Sequence, residues 1–129
     1  MITRNQINDR IEEYADAVRS RDAKAVSELF APCFDHIVHG VGTDKNNPWN
    51  TKKESDPEGI KEIYEEFFSQ VSKISVEYTD RTIDVENNSA AMVVRVKNGN
   101  TCMENALQIK WNDDGKIIFF YNWYGESIN

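Results

Sequence analysis

The sequence predicts an α+β fold in which a curved antiparallel sheet packs around helices that come early in the chain. Apolar residues at helical spacing dominate the first half, and residues 74–124 read as four successive strands with alternating apolar side chains. Helices grouped before a run of strands are typical of α+β domains. With 129 residues, the chain suits a single domain over residues 1–129 with its own core.

Composition excludes several classes of protein. The net charge is −7 and no run of Lys or Arg occurs, so neither nucleic acid nor a membrane surface is an expected partner. The two cysteines, Cys33 and Cys102, form no disulfide framework and no Cys/His cluster suggests zinc, so no metal or other cofactor is expected. No secretory signal and no run of about 20 apolar residues is present, which predicts a soluble cytoplasmic protein.

Capping residues predict where the helices begin. Thr3 suits the N-cap of a first helix. Asp22 suits the N-cap of a short second helix, which is predicted to run to Phe30 and to be ended by Pro32. Asp56 precedes Pro57 and suits the N-cap of a third helix.

The strands are predicted from alternation and turn residues. A first strand over residues 34–41 leads into a polar loop, residues 42–56, that contains Trp49. Alternation changes phase near Asp80-Arg81, which predicts a bulge, and Asn98-Gly99 predicts a hairpin turn. The last strand, residues 116–124, is apolar on both faces. We interpret its Asn122 face as pocket lining and its Trp123 face as a contact with a second copy of the chain.

The order and spacing of these elements resemble the nuclear transport factor 2-like superfamily, in particular its SnoaL-like and ketosteroid isomerase-like members. The resemblance covers nearly the whole chain and implies a cone-shaped α+β barrel, also called cystatin-like. It rests on residues 14–22 with 28–31, the Gly42–Trp49 loop, Gly59–Ile63, Gly115–Ile118 and Tyr124–Glu126.

The resemblance also implies catalytic residues. Tyr14 matches the tyrosine that donates a hydrogen bond to the developing enolate in ketosteroid isomerases, and His39 best matches their catalytic aspartate, allowing one inserted residue. Their second, protonated aspartate matches Leu107. The implied strand orientation places Asp35, Ile37, His39 and Val41 inward, with Asp35 orienting the His39 ring and raising its pKa. Alternatively, His39 bonds to backbone at a strand end.

Two amides lie among apolar residues on the concave faces of neighbouring strands. Asn105 and Asn122 would bind a carbonyl or hydroxyl of a ligand, or else satisfy each other or bulged backbone. Trp49 would close the pocket as a lid or anchor its own loop. The other residues expected to line the pocket are aromatic: Tyr64, Phe68, Phe120 and Tyr124.

Two functional hypotheses follow. The first is a cofactor-independent isomerase, cyclase or dehydratase that moves a proton on a small apolar carbonyl compound. The second is a ligand-binding or dimerisation module without chemistry. In either case Phe119, Tyr121 and Trp123 would leave a large apolar patch on the convex face, which predicts a homodimer.

Overall fold

Three helices and six strands make up the part of the chain that the computed structural model describes, which is residues 2–39, 51–70, 74–99 and 101–128. Within these ranges the side chains at positions 39, 51–54, 98, 101, 124 and 126–128 lie outside the description. In chain order the elements are α1 Arg4–Arg19, α2 Ala23–Glu28, β1 Phe30–His39, β2 Thr51–Glu54, α3 Pro57–Gln70, β3 Ile74–Asp84, β4 Ser89–Asn98, β5 Thr101–Trp111 and β6 Ile117–Ile128.

The helices begin where the capping residues predict. Thr3 and Gln6 form a capping box, in which each side chain accepts a hydrogen bond from the other residue's backbone N–H, at 3.2 and 2.8 Å. The carboxylate of Asp22 accepts a backbone N–H of α2 at 3.0 Å, and that of Asp56 accepts one of α3 at 3.1 Å. These side chains satisfy N–H groups that have no partner within the helix.

The strands form one sheet in the order β2-β1-β6-β5-β4-β3. All neighbouring pairs are antiparallel except β1 with β6, which run parallel. The sheet is curved and does not close on itself, and the helices cover its concave face. The predicted α+β fold with a curved sheet around N-terminal helices is therefore confirmed, with an open rather than a complete barrel.

Several element boundaries differ from the prediction. The predicted loop over residues 42–56 contains the short strand β2, and β1 begins at Phe30 instead of residue 34. Pro32 was expected to end a helix, but it lies inside β1, where the pairing with β6 shifts between Phe30 and Asp35. A proline has no N–H to donate, so it is tolerated where strand pairing is irregular.

Bulges and glycines shape the later strands. The bulge predicted at Asp80-Arg81 is confirmed, because the β3–β4 register shifts between Thr79 and Thr82. A second irregularity in the β5–β6 pairing faces Gly125, where an added Cβ would lie 2.0 Å from the carbonyl oxygen of Glu104. Only glycine permits this close approach of two backbones.

The core lies between the concave face of the sheet and the apolar faces of α1 and α3. Its fully buried side chains include Ile7 and Ile11 of α1, Ile60 of α3, and Trp111 and Phe120 of the sheet. Within the described residues, no helix is both long enough and apolar enough to cross a membrane.

Candidate functional site

A cavity of about 320 Å³ lies between the sheet and helices α1 and α3. This volume falls at the small end of the range typical of ligand pockets. Its main polar lining residues are Tyr14, His36, Tyr64, Tyr78, Asn105 and Asn122. Apolar side chains complete much of the wall, among them Val38, Phe67, Val94, Met103, Leu107 and Phe120.

Among the described residues, the histidine that lines this cavity is His36, which was not predicted from the sequence. Successive strand residues face opposite sides of a sheet, and Phe34, His36 and Val38 are all buried. The expectation that Asp35 and Ile37 face inward was wrong, because Asp35 is exposed and Ile37 only half-buried. Asp35 is thus not placed to orient a histidine inside the cavity.

Two of the residues expected to share that inward face lie outside the description. These are the side chain of His39 and the whole of Val41. The signal that could have identified His36 is the apolar alternation of Phe34 and Val38 around it, which conflicts with placing Asp35 inward.

His36 lies in an apolar, aromatic environment. Its side chain is 97% buried, stacked on Phe120 with ring centroids 4.8 Å apart and 12° between planes, and Tyr64 meets it edge-on at 6.3 Å. Burial lowers the pKa of His36 from 6.5 to about 4, and a hydrogen bond between the ring and its own backbone has a smaller, opposite effect. The imidazole is therefore neutral at pH 7.

The neutral ring offers a lone pair. His36 Nε2 is buried and has no hydrogen-bond partner among the described residues. A neutral imidazole carries its proton on one ring nitrogen and its lone pair on the other. In the tautomer protonated at Nδ1, Nε2 is an acceptor or a proton base.

Three tyrosines also line the cavity, Tyr14, Tyr64 and Tyr78. The hydroxyls of Tyr14 and Tyr64 are hydrogen-bonded to each other, which joins α1 to α3. The Tyr14 ring also contacts Tyr78 edge-on at 5.8 Å and Phe120 at 5.3 Å. Burial, together with the neighbouring Tyr64, raises the pKa of Tyr78 above its ordinary value. Tyr78 therefore stays protonated and available as a donor.

The two predicted amides both line the cavity, but they differ in their partners. Asn105 Oδ1 accepts a hydrogen bond from the backbone N–H of Gly125 at 3.2 Å. Asn105 therefore satisfies bulged backbone, which was one of the alternatives predicted for these amides. Asn122 Oδ1 is buried and, within the described part of the chain, has no partner. Burying an unpaired oxygen costs on the order of 1–3 kcal/mol, which makes this atom a candidate ligand contact.

The other expected pocket residues divide into three groups. Tyr64 and Phe120 line the cavity as expected. Phe68 does not: it is buried in the core against Tyr64 and Phe67, and Phe67 reaches the cavity in its place. Trp49 and the side chain of Tyr124 lie outside the described residues.

Metal ligands are not grouped in the described residues, since no set of three or more His, Cys, Asp and Glu side chains there could hold an ion. The chemistry that the described cavity residues can supply is a lone pair on His36 Nε2, hydroxyl donors from tyrosines, and amide groups. Such a set can bind an oxygen-bearing molecule and move a proton.

The fold, together with a match to the family model of the SnoaL-like domain, places the chain in the nuclear transport factor 2-like class of proteins. A SnoaL-like protein of unknown function from Burkholderia thailandensis is similar in structure, with TM-score 0.76 and 16% identity, covering 97% of this chain and 98% of that one. The epoxide hydrolase/cyclase-like enzyme SalBIII, which has a role in pyran ring formation in the polyether salinomycin, is also similar in structure. Its TM-score is 0.75 at 15% identity, covering 97% of this chain and 95% of that one. A protein from Kribbella flavida proposed to be a ketosteroid isomerase has a TM-score of 0.71 at 14% identity, covering 97% of this chain and 82% of that one.

Family membership follows from the sequence. The family model of the SnoaL-like domain matches residues 7–113, and the chain belongs to that family. No curated protein matches the chain in sequence. Membership points to ligand binding or to isomerase or cyclase chemistry, without selecting one activity.

Proposed function

We propose that the chain binds a small, largely apolar carbonyl compound in this cavity and moves a proton on it, as a cofactor-independent isomerase, cyclase or dehydratase. The observation that carries the proposal is the unpartnered Nε2 of His36, buried at a cavity that hydroxyl donors also line. His36 takes the role of base that was expected of His39, and Tyr14 keeps its expected role as donor.

The basicity of His36 suits this chemistry. With a pKa of about 4, the ring is neutral and ready to accept a proton throughout the neutral pH range. A carboxylate general base with a pKa of roughly 4.6 is sufficient in ketosteroid isomerase, where the proton is taken from a carbon next to a carbonyl. His36 is a base of comparable strength.

The proton transfer has two steps. His36 Nε2 takes a proton from the carbon next to the ligand's carbonyl, which leaves an imidazolium and an enolate. Tyr14 donates a hydrogen bond to the enolate oxygen, where the negative charge develops. The bond between the Tyr14 and Tyr64 hydroxyls strengthens this donor, because hydrogen bonds in a chain polarise one another. The imidazolium then returns the proton to the substrate at the same or another carbon.

Exchange of α-protons on a model ketone tests the proposal. We expect the wild-type protein to accelerate deuterium uptake by 1-tetralone in D₂O, measured by NMR. His36→Phe keeps a planar ring against Phe120 but removes the base, so the acceleration should fall by 10²-fold or more. Tyr14→Phe should lower it by on the order of 10²-fold, because one donor to the enolate is lost.

Cys33→Ser is the control for this experiment, since Cys33 is exposed on the same strand as His36. It should exchange the ketone at the wild-type rate. If His36→Phe still binds 1-tetralone and retains wild-type exchange, His36 is not the base. If the wild type binds the ketone without accelerating exchange, the chain is a binding module.

We also propose that the convex face of β6 mediates a homodimer. Phe119, Tyr121 and Trp123 lie in one row, with ring centroids 5.5 Å apart for the first pair and 4.0 Å for the second. Trp123 is 37% exposed, which is unusual for an indole in a single chain. A second copy that covers this row would bury a continuous aromatic strip, as symmetric interfaces commonly do.

Substitution of Trp123 by lysine should convert the dimer into a monomer, because it places a charge in the strip that the second copy would cover. Sedimentation velocity at micromolar concentration measures this change. Glu77→Lys, an exposed position on β3, is the matched control and should leave the dimer intact. A wild-type protein that sediments as a 14.9 kDa monomer would contradict the proposal.

A further inference from the structure

We infer that the ligand carries a hydroxyl group at the end remote from its carbonyl, and that Asn122 Oδ1 accepts the hydrogen bond of this hydroxyl. The inference rests on the proposed function, because it assigns a specificity residue to the same cavity. It goes beyond a carbonyl compound in general and specifies a hydroxylated one.

The unpaired state of Asn122 is the first step. Its Oδ1 is buried without a partner among the described residues, although Asn105, with two N–H groups, lines the same cavity. Asn105 is held by its bond to the Gly125 backbone, so the neighbouring amide does not satisfy Asn122. An unpaired acceptor on a side chain that lines a cavity can be satisfied by a donor bound there, when the amide turns toward that donor.

The position of Asn122 assigns it to the remote end of the ligand. Asn122 follows Phe120 by two residues on the concave face of β6, and Phe120 is the residue that packs on both Tyr14 and His36. Two strand residues span roughly 7 Å. A carbonyl held at Tyr14 and a hydroxyl held at Asn122 would therefore sit at opposite ends of a ring system.

The charge of the cavity favours a neutral donor over an ammonium group. Glu66 is the one acidic side chain among the described lining residues, and it is exposed. A buried ammonium would lack a counter-ion, and burying an unpaired charge costs far more than burying a hydroxyl. A hydroxyl is therefore the donor that this wall fits.

The volume of the cavity limits the size of the ligand. A cavity of about 320 Å³ lies within the range of pockets that bury small organic ligands. A two-ring ketone with one additional hydroxyl is such a ligand. 6-Hydroxy-1-tetralone carries its carbonyl and hydroxyl at opposite ends, and 6-methyl-1-tetralone has the same shape without the donor.

The test compares the dissociation constants of these two ketones by isothermal titration calorimetry. We expect wild type to bind the hydroxyl compound about tenfold more tightly than the methyl compound, because only the hydroxyl satisfies Asn122 Oδ1. In Asn122→Leu this preference should disappear. Asn87→Leu is the matched control, since it makes the same change at an exposed amide that does not line the cavity, so the preference should persist.

The outcomes separate this inference from the proposed function. If both ketones bind wild type equally, the hydroxyl inference is wrong while ligand binding in the cavity stands. If Asn122→Leu retains the tenfold preference, Asn122 is not the acceptor and the inference is equally overturned. If neither ketone binds, the proposed function itself fails, and the inference fails with it.

Discussion

Acidification from pH 7 to pH 4 is expected to lower the free energy of unfolding by about 3 kcal/mol through His36 alone. The pKa of this residue is about 4 in the folded protein and 6.5 for an unperturbed histidine, so the unfolded state binds the proton more tightly. The free energy of unfolding therefore falls as the pH drops below 6.5, and it continues to fall until the pH reaches about 4. Stability therefore rises with pH across this window and levels off above it.

Urea unfolding curves across this pH range, for wild type and His36→Phe, measure the effect. Carboxylates also titrate near pH 4, so the informative quantity is the difference between the two proteins. The variant should lose about 3 kcal/mol less than wild type between pH 7 and pH 4. The chain has two histidines, and His39→Asn is the control for the second. Parallel curves for wild type and His36→Phe would show that His36 is not buried in its neutral form.

The second large effect concerns the two amides of the cavity. Asn122→Leu is expected to raise the free energy of unfolding of the ligand-free protein by on the order of 1 kcal/mol, because it removes a buried oxygen without a partner. Asn105→Leu should lower it, because the N–H of Gly125 then loses its acceptor. The same substitution thus has opposite signs at two neighbouring sites, with a difference of about 2 kcal/mol.

Chemical denaturation at pH 7 without added ligand measures both variants. The identical substitution makes each the control for the other, since both add the same apolar side chain to the same cavity. If Asn122→Leu is more stable than wild type, then wild type keeps Asn122 at the expense of its free energy of unfolding, as is common for residues of functional sites. Equal effects of the two substitutions would mean that Asn122 is satisfied in the free protein.

Local chemistry explains the part of the fold that could be predicted. Helix starts followed from Thr3, Asp22 and Asp56, whose side chains bond the first backbone N–H groups of the helices. The bulge near Asp80 followed from a change in the phase of alternation, which only an extra residue in one strand can produce. These signals depend on residues a few positions apart, so a single sequence contains them.

The sequence also contained part of the site. Tyr14, Tyr64, Asn105, Asn122 and Phe120 were all expected at the cavity, and all five line it. Each lies on a helix or strand whose apolar pattern is long enough to fix which face turns inward.

Only the tertiary structure decided that His36 faces the cavity. A shift of one residue exchanges the two faces of a strand, and β1 is a strand whose first residues, around Pro32, pair irregularly. The parallel pairing of β1 with β6 sets His36 beside Phe120 and turns Asp35 outward. That choice depends on a strand more than 80 residues away in the chain, which no local pattern encodes.

The partners of the amides were likewise decided by tertiary structure. Asn105 and Asn122 are the same residue type, and the residues two positions away on either side of each are apolar or aromatic, so the sequence indicated that both face the cavity. The close approach of Gly125 to Glu104 brings a backbone N–H within reach of Asn105 alone. Satisfaction of a buried polar atom depends on the position of one donor to within a few tenths of an ångström, and that position is fixed by packing of the whole sheet.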